Sequence, residues 1–405
     1  MAPAGAIERR GNNMETFNKT AVPFRVALGL GQGIDIGLSK GIIYQIGEEK
    51  ATTMKELQKM YIGAGSTEMY VRIATKRYND DDTYHARIHN LETSLEYCRV
   101  AAALDQPINP EIMCAHTYMD ASIQQAPDFR DYPEISKPDK EWSEYSLEEM
   151  CSVLEQYGEL VAREVLATGC RVEYWNLGNE ANYGFAGVNL GLKTAVNPKL
   201  CRLDSHIEME RVDMEHVDVY FFKENIWKYN GQMMASLAKG IKKAHPGAKF
   251  GSHIAGLFDA PTSVAYFKTL LENGVELSQA GISIYPTMNL AEIYHDYIGI
   301  MKKVIRAIVD ECGLPVFVAE YGYPSRIMGG FAWNQPVKGY ELTAEGQARF
   351  TADFIAWLKE YGGSGIRPWA PDLLGWDPGW EPMSLFSYDG QTKIASAKPV
   401  IECFK

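Results

Sequence analysis

The sequence lacks an excess of positive charge and lacks any long apolar run. It contains 40 Lys and Arg against 52 Asp and Glu, which gives a formal net charge of −12 at pH 7, and no Lys- or Arg-rich stretch offers a stripe for phosphate groups. No segment approaches the roughly 18 apolar residues that a membrane-spanning helix needs. We therefore expect neither nucleic acid nor a membrane as a partner, and a neutral or small ligand fits the charge balance better.

Other absences narrow the class of protein further. The seven cysteines are scattered and form no C-x-x-C motif or Cys/His cluster, so neither a disulfide framework nor a zinc site is indicated. The N-terminal MAPAGAIERRGNN has no apolar core of signal-peptide length, which predicts a cytoplasmic protein, or a secreted one if a leader has been removed. No G-x-G-x-x-G follows the first apolar run and no Walker A motif is present, which disfavours nucleotide-binding folds.

Short apolar runs alternate with longer amphipathic segments along the chain. The segments 54–61, 91–104, 147–166, 220–244, 290–312 and 344–361 repeat apolar residues at helical spacing. Eight runs have the character of strands: 33-GIDIGL, 67-TEMYVRIA, 110-PEIMCAH, 172-VEYWNLG, 248-AKFGSHIAG, 280-AGISIYP, 315-PVFVAEY and 364-SGIRPWA.

Eight apolar strands, each followed by a helix, need parallel pairing with both faces of the sheet covered. We therefore predict an α/β fold, a (β/α)8 TIM barrel that forms a single domain over residues 25–405 after an N-terminal extension over 1–24. Its long loops, about 121–146 and 185–219, follow strands on the C-terminal face, where barrel enzymes build their sites. A doubly wound open sheet is the alternative.

Two glutamates stand at matching positions in the predicted barrel. Glu180 follows Asn179 at the end of the fourth run, and Glu320 ends the seventh run, on a strand across the barrel. A single glutamate at a strand end is more often a solvated rim residue than a catalyst. Two opposed carboxylates, however, are what glycoside hydrolysis requires. Further polar or aromatic side chains end the other strands: Asp35, Arg72, His116, His253, Tyr285 and Trp369.

Aromatic side chains cluster on and after the last two strands: Trp333, Trp369, Trp376 and Trp380. Their flat faces are suited to stacking on pyranose rings, and the alternative is that some of them pack the base of the barrel. His116 and His253 are either ligands of the substrate or satisfied structural histidines. They do not suggest a metal site, because no third ligand stands at a suitable spacing.

These motifs resemble clan A of the glycoside hydrolases, which are retaining enzymes on a (β/α)8 barrel, and within it family 53, the arabinogalactan endo-β-1,4-galactanases. The resemblance covers about residues 25–400, and it departs from the family pattern in an extra residue on strand three and in an acidic insertion at 185–219. The motifs that carry it are GIDIG at 33–37, YVRIA at 70–74, AHTYMD at 115–120, LGNEANYG at 177–184, SHIAG at 252–256, SIYP at 283–286, AEYGYP at 319–324 and PWAPDLLGWDPGWEPMSLFSYDG at 368–390.

The resemblance implies that Glu180 is the catalytic acid/base and Glu320 the nucleophile, with a β-linked galactan or a derived oligosaccharide as the substrate. Alternatives are another clan A activity, such as an exo-β-galactosidase, β-glucanase or mannanase, and a carbohydrate-binding barrel without catalysis. No cofactor is implied, although some family members bind calcium near the last loop, where Asp372 and Asp377 stand; the oligomeric state is not predicted. The expected substrate-binding residues are Asp35, Arg72, His116, Asp120, Asn179, His253, Tyr285, Trp369, Trp376 and Trp380.

Overall fold

Eight parallel strands form the central sheet of the protein. The computed structural model describes residues 23–121, 124–189, 219–255, 259–288, 296–329, 333–374 and 379–405. We number the strands of the central sheet in chain order; from β2 onward each strand pairs with the next, and β8 pairs back to β1. The strands are β1 Arg25–Val26, β2 Met69–Ile73, β3 Ile108–Ile112, β4 Trp175–Leu177, β5 Phe250–Ile254, β6 Leu277–Ile284, β7 Val316–Tyr321 and β8 Gly363–Pro368.

The sheet closes on itself between β1 and β2. The carbonyl of Val26 accepts the N–H of Thr67 at 2.9 Å, and the N–H of Val26 donates to the Thr67 hydroxyl at 2.9 Å. A closed sheet leaves no strand edge unpaired, and it directs the C-terminal ends of all eight strands toward one mouth. The predicted (β/α)8 barrel is confirmed.

Helices follow the strands and cover the outside of the sheet. The predicted helical segments are confirmed where the structure describes them; residues 290–295 lie outside the described residues. Two of the helices begin with a capping box, at Thr53 and at Ser146, which satisfies N–H groups that the first turn leaves free. The helices are Ile34–Ser39, Met54–Gly63, Tyr84–His89, Leu91–Ala102, Leu147–Ala167, Val219–Phe222, Lys228–Ala244, Ala260–Glu272, Tyr297–Cys312 and Ala344–Glu360.

The first predicted strand is wrong. GIDIGL at 33–38 lies in the helix Ile34–Ser39, and the first strand is the two-residue Arg25–Val26. The I-D-I alternation imitates a strand, but Gly33 has a φ of 100°, a left-handed conformation that turns the chain into the helix. Asp35 therefore stands in a first helical turn instead of at a strand end, and its half-exposed carboxylate pairs with Arg87 at 3.0 Å.

A second, four-stranded sheet joins the segments that follow β1 and β8, and the sequence patterns did not predict it. Its strands are Ile43–Ile46, Glu49–Ala51, Phe386–Asp389 and Ile394–Ala397. Tyr44 packs edge-on against Phe386 with ring centroids 5.0 Å apart.

None of the described helices combines the length and the apolar character that crossing a bilayer requires.

The interior of the barrel is charged at both ends. Arg25 on β1 pairs with Glu68 at 3.3 Å, and its guanidinium lies over the rings of Tyr174 and Phe317. These groups lie near the N-terminal ends of the strands. Buried charges are tolerated only when they are paired and hydrogen-bonded, so the barrel interior is specified by polar contacts as well as by apolar packing. A second buried charge cluster lies near the C-terminal ends and builds the site.

Candidate active site

Glu180 reaches the barrel mouth through a sharp turn after β4. Gly178 has a φ of 80° and Glu180 a φ of 48°, so the chain passes twice through the left-handed region, which costs a non-glycine residue about 1–3 kcal/mol. His253 on β5 holds this turn, because its Nε2 accepts the N–H of Glu180 at 3.2 Å and its carbonyl accepts the N–H of Ala181 at 3.0 Å. The Glu180 carboxyl then accepts the N–H of Ala121 at 2.8 Å.

The environment of Glu180 favours its neutral form. Burial, together with the charges of Glu320 and Asp120, raises the pKa of Glu180 to about 8, against the smaller opposing effects of the Ser283 hydroxyl and the Ala121 N–H. A carboxyl group that keeps its proton near neutral pH is a competent general acid.

Glu320, near the end of β7, has different neighbours, and both of its carboxylate oxygens accept hydrogen bonds. One oxygen of its carboxylate accepts a hydrogen bond from the guanidinium of Arg72, and the other accepts the hydroxyl of Tyr285 at 2.6 Å. Hydrogen bonds to both oxygens fix the orientation of the carboxylate. Two buried carboxyl groups near each other thus have unlike surroundings, as an acid and a nucleophile require.

Arg72 connects the turn before Glu180 to Glu320 on β7. Its Nη2 donates to Asn179 Oδ1 at 3.0 Å as well as to Glu320, and its Nε donates to Glu111 at 2.6 Å. Gln32 holds the backbone of Arg72, accepting its N–H at 2.7 Å and donating to its carbonyl at 2.9 Å. Neither Glu111 nor Gln32 was predicted from the sequence.

His253 is buried and uncharged. Burial lowers the pKa of His253 to about 3, with the charges of Arg72 and Arg367 acting in the same direction and that of Glu320 opposing them. Because its Nε2 accepts a hydrogen bond, the proton of the neutral ring sits on Nδ1, which faces Glu111 Oε2 at 3.7 Å. In this arrangement His253 directly supports the turn that carries Glu180.

A cavity of about 340 Å³ opens beside Arg72. One wall is a stack of nearly parallel rings, with His85 and Tyr118 4.0 Å apart and His89 beyond them. Trp369 and Trp380 also line the cavity, and their ring centroids are 4.3 Å apart. The polar and aromatic side chains that line the cavity are Gln32, Arg72, Tyr84, His85, His89, Tyr118, Asp120, Arg367, Trp369 and Trp380.

The structure brings most of the predicted site residues together. Arg72, Asp120, Trp369 and Trp380 line the cavity, and Asn179, His253, Tyr285 and both glutamates bond to Arg72 or to one another. Trp333 packs against Tyr285 and Trp380. Trp376 lies outside the described residues, and Asp35 does not line the cavity.

His116 also lies elsewhere than predicted. Its Nδ1 faces Asp128 at 3.8 Å, and its side chain does not line the cavity. The reason is a kink after β3, where Cys114 adopts a left-handed φ of 50° and interrupts the two-residue alternation of the strand. Tyr118 lines the cavity in its place, together with His85 and His89, whose i and i+4 spacing in YHARIH was the available sequence signal.

Asp372 was considered as a calcium ligand, but its carboxylate serves another purpose. Its two oxygens accept the N–H of Gly31, at 3.2 and 3.0 Å, and Oδ2 also accepts the hydroxyl of Tyr61 at 3.2 Å. The Asp372 carboxylate therefore connects the loop after β8 to the segment after β1 through hydrogen bonds. Asp377 lies outside the described residues, and among those described no group of three His, Cys, Asp or Glu side chains is placed to hold a metal ion.

The fold and the site together define a (β/α)8 barrel with one carboxyl group after strand four and another near the end of strand seven, the arrangement of clan A. The model of glycosyl hydrolase family 53 matches residues 127–398. The chain belongs to that family.

Comparison with individual proteins agrees with this placement. Endo-beta-1,4-galactanase of Bacillus subtilis (strain 168) is 21% identical over 339 residues, which are 82% of this chain and 64% of that protein, so the chain spans slightly less than two thirds of the relative's length. A family 53 catalytic domain from Ignisphaera aggregans matches with a TM-score of 0.65 at 17% identity, covering 95% of both chains. A fungal beta-1,4-galactanase matches with a TM-score of 0.67 at 15% identity, covering 94% of this chain and 98% of that one. At these identities the structures establish the fold.

Proposed function

We propose that the protein is a retaining glycoside hydrolase that cleaves β-1,4-galactosidic bonds in galactan or arabinogalactan-type polysaccharide, or in oligosaccharides derived from them. The observation that carries this proposal is the unlike environment of two neighbouring buried carboxyl groups. The pKa of Glu180 is raised to about 8, whereas Glu320 accepts hydrogen bonds from Arg72 and Tyr285.

In the first step, a carboxylate oxygen of Glu320 attacks the anomeric carbon, and the bond from that carbon to the leaving oxygen breaks. Glu180 donates its proton to the leaving oxygen, so the first product departs as an alcohol and a glycosyl ester remains on Glu320. In the second step, Glu180, now ionised, takes a proton from water. The water oxygen attacks the anomeric carbon and releases Glu320, which gives net retention of configuration.

The sugar class is supported by the family and by the names of the relatives, two of which are β-1,4-galactanases. The aromatic faces of Trp369 and Trp380 suit the stacking of a pyranose ring. A cavity of about 340 Å³ falls at the lower end of the range for small-molecule sites.

A panel of linear β-glycans tests the proposal. We expect reducing ends to be released from β-1,4-galactan, with β-glucan and β-mannan cleaved far more slowly, and product sizing distinguishes endo from exo action. Proton NMR of the first product should show the β anomer. Glu320→Gln should abolish turnover while the folded state persists by circular dichroism, and Glu48→Gln, at an exposed turn, is the matched control.

Two outcomes would contradict the proposal. Near-full activity of Glu320→Gln would exclude this residue as the nucleophile. Binding of galactan without turnover by the wild-type protein would favour a carbohydrate-binding barrel that lacks catalysis. Preferential cleavage of β-glucan or β-mannan would keep the mechanism and change the substrate.

A further inference from the structure

Glu111 on β3 is a fully buried carboxylate with three charged or titratable neighbours. It accepts the Nε–H of Arg72 at 2.6 Å, it lies 3.5 Å from Arg367 Nη1, and its Oε2 is 3.7 Å from His253 Nδ1. Arg72 and Glu111 are register partners on adjacent strands. Removing a carboxylate from water is costly unless a cation pairs with it. Of the three neighbours, Arg72 makes the shortest contact with Glu111.

The bond to Glu111 determines where the rest of the Arg72 guanidinium points. The group is planar, so holding its Nε fixes the directions of its other N–H groups. With Nε held by Glu111, Nη2 donates to Asn179 at 3.0 Å and to one oxygen of Glu320. The other oxygen of Glu320 is left to the hydroxyl of Tyr285.

We infer that Glu111 is a positioning residue for the reaction, acting through Arg72 to keep the guanidinium on one oxygen of Glu320 and on Asn179. The inference rests on the proposed function for its kinetic consequences. Without the charge of Glu111, the guanidinium of Arg72 is free to turn and take both oxygens of Glu320 in the bidentate geometry that arginine prefers. A carboxylate held in that way is a poorer nucleophile.

The charge balance of the cluster supports this role. Two cations, Arg72 and Arg367, face the interior near Glu111, and Arg367 also lies over the ring of Tyr70 at 4.4 Å. Glu111 and Glu320 together offset these two positive charges. The titratable and charged groups that face the cluster from the packed strands are Tyr70, Arg72, Asp120, Glu180, His253, Tyr285, Glu320 and Arg367.

Glu111→Gln is the decisive substitution, because it keeps the shape of the side chain and removes its charge. We expect kcat on galactan to fall on the order of 10- to 100-fold, the loss that one charge-assisted hydrogen bond implies, with KM changed less than about twofold. Glu111→Asp should recover part of kcat. The control is Glu68→Gln, which removes a similarly buried carboxylate that pairs with Arg25 at the other end of the barrel and should leave kcat unchanged even if it lowers stability.

Two further measurements separate positioning from a structural role. In a double-mutant cycle, Glu111→Gln should lower kcat much less in the Arg72→Lys background than in the wild-type background, because both substitutions act through the same contact. A crystal structure of Glu111→Gln should show Arg72 rotated away from Asn179. Wild-type kcat in the variant, or an unmoved Arg72, would overturn the inference. If the wild-type protein cleaves no β-glycan, the proposed function fails, and the crystal structure still decides the placement of Arg72.

Discussion

The raised pKa of Glu180 gives a test that joins stability to activity. In the folded protein this pKa is about 8, against an ordinary value of 4.5. The folded state therefore holds a proton that the unfolded chain releases between these two values. The stabilisation from this proton is complete below pH 4.5 and is lost as the pH rises through 8.

The size of the effect follows from the shift. Each pKa unit corresponds to 1.36 kcal/mol, so the full difference is about 5 kcal/mol, of which about 3 kcal/mol has gone by pH 7. Glu180→Gln removes the titration and keeps the side-chain shape. The variant should gain stability relative to the wild-type protein as the pH rises from 5 to 9, with a slope of up to about 1.4 kcal/mol per pH unit.

Two assays measure this prediction. Urea unfolding at several pH values gives the difference in unfolding free energy between Glu180→Gln and the wild-type protein. Hydrolysis of galactan, whose leaving oxygen needs a proton, should give a wild-type kcat/KM profile that falls on the alkaline side near pH 8, whereas a dinitrophenyl β-galactobioside, whose leaving group needs no proton, should show no such fall and should still form the glycosyl-enzyme in Glu180→Gln. A stability difference that does not change with pH, or an equal alkaline fall on galactan and on the dinitrophenyl substrate, would refute the assignment of Glu180 as the acid.

Three other substitutions have definite expected outcomes. Tyr285→Phe removes the hydroxyl that bonds to Glu320 at 2.6 Å, so kcat/KM on galactan should fall about 10- to 100-fold with the fold unchanged; a fall of less than twofold would show that this bond does not matter. Asp372→Ala leaves the partly buried N–H of Gly31 without its acceptor, and urea unfolding should show a loss of roughly 1–3 kcal/mol; unchanged stability would contradict the role of this contact. His116→Ala should keep kcat/KM within about twofold, because its Nδ1 faces Asp128 at 3.8 Å, and a tenfold loss would place it in the substrate site after all.

Both glutamates were predictable because their positions follow from strand ends. In a parallel barrel the carboxyl end of every strand meets the same mouth, so an acidic residue that stops an apolar run is placed before any contact is known. Glu180 and Glu320 met this condition, and the structure brings them close enough for the charge of Glu320 to raise the pKa of Glu180.

The sequence patterns mispredicted or missed residues whose positions depend on short strands, kinks or short helices. The first strand has only two residues, too few for a period to show, and the alternation in 33–38 favoured the wrong segment. His116 ends an apolar run as the glutamates do, but the left-handed Cys114 turns it toward Asp128. His85 and His89 are brought to the cavity by a short helix after β2.

The sequence by itself determined seven of the eight strands, the strand-end positions of the two glutamates and the family, because these depend on local periodicity and on which residues end each strand. The family resemblance implies that Glu180 is the acid, but only the tertiary structure supplies a physical reason, because the raised pKa of Glu180 depends on burial and on charges from other parts of the chain. The tertiary structure also revealed the role of Glu111: an acidic residue within an apolar run looks misplaced until Arg72, 39 positions earlier, lies beside it on the neighbouring strand.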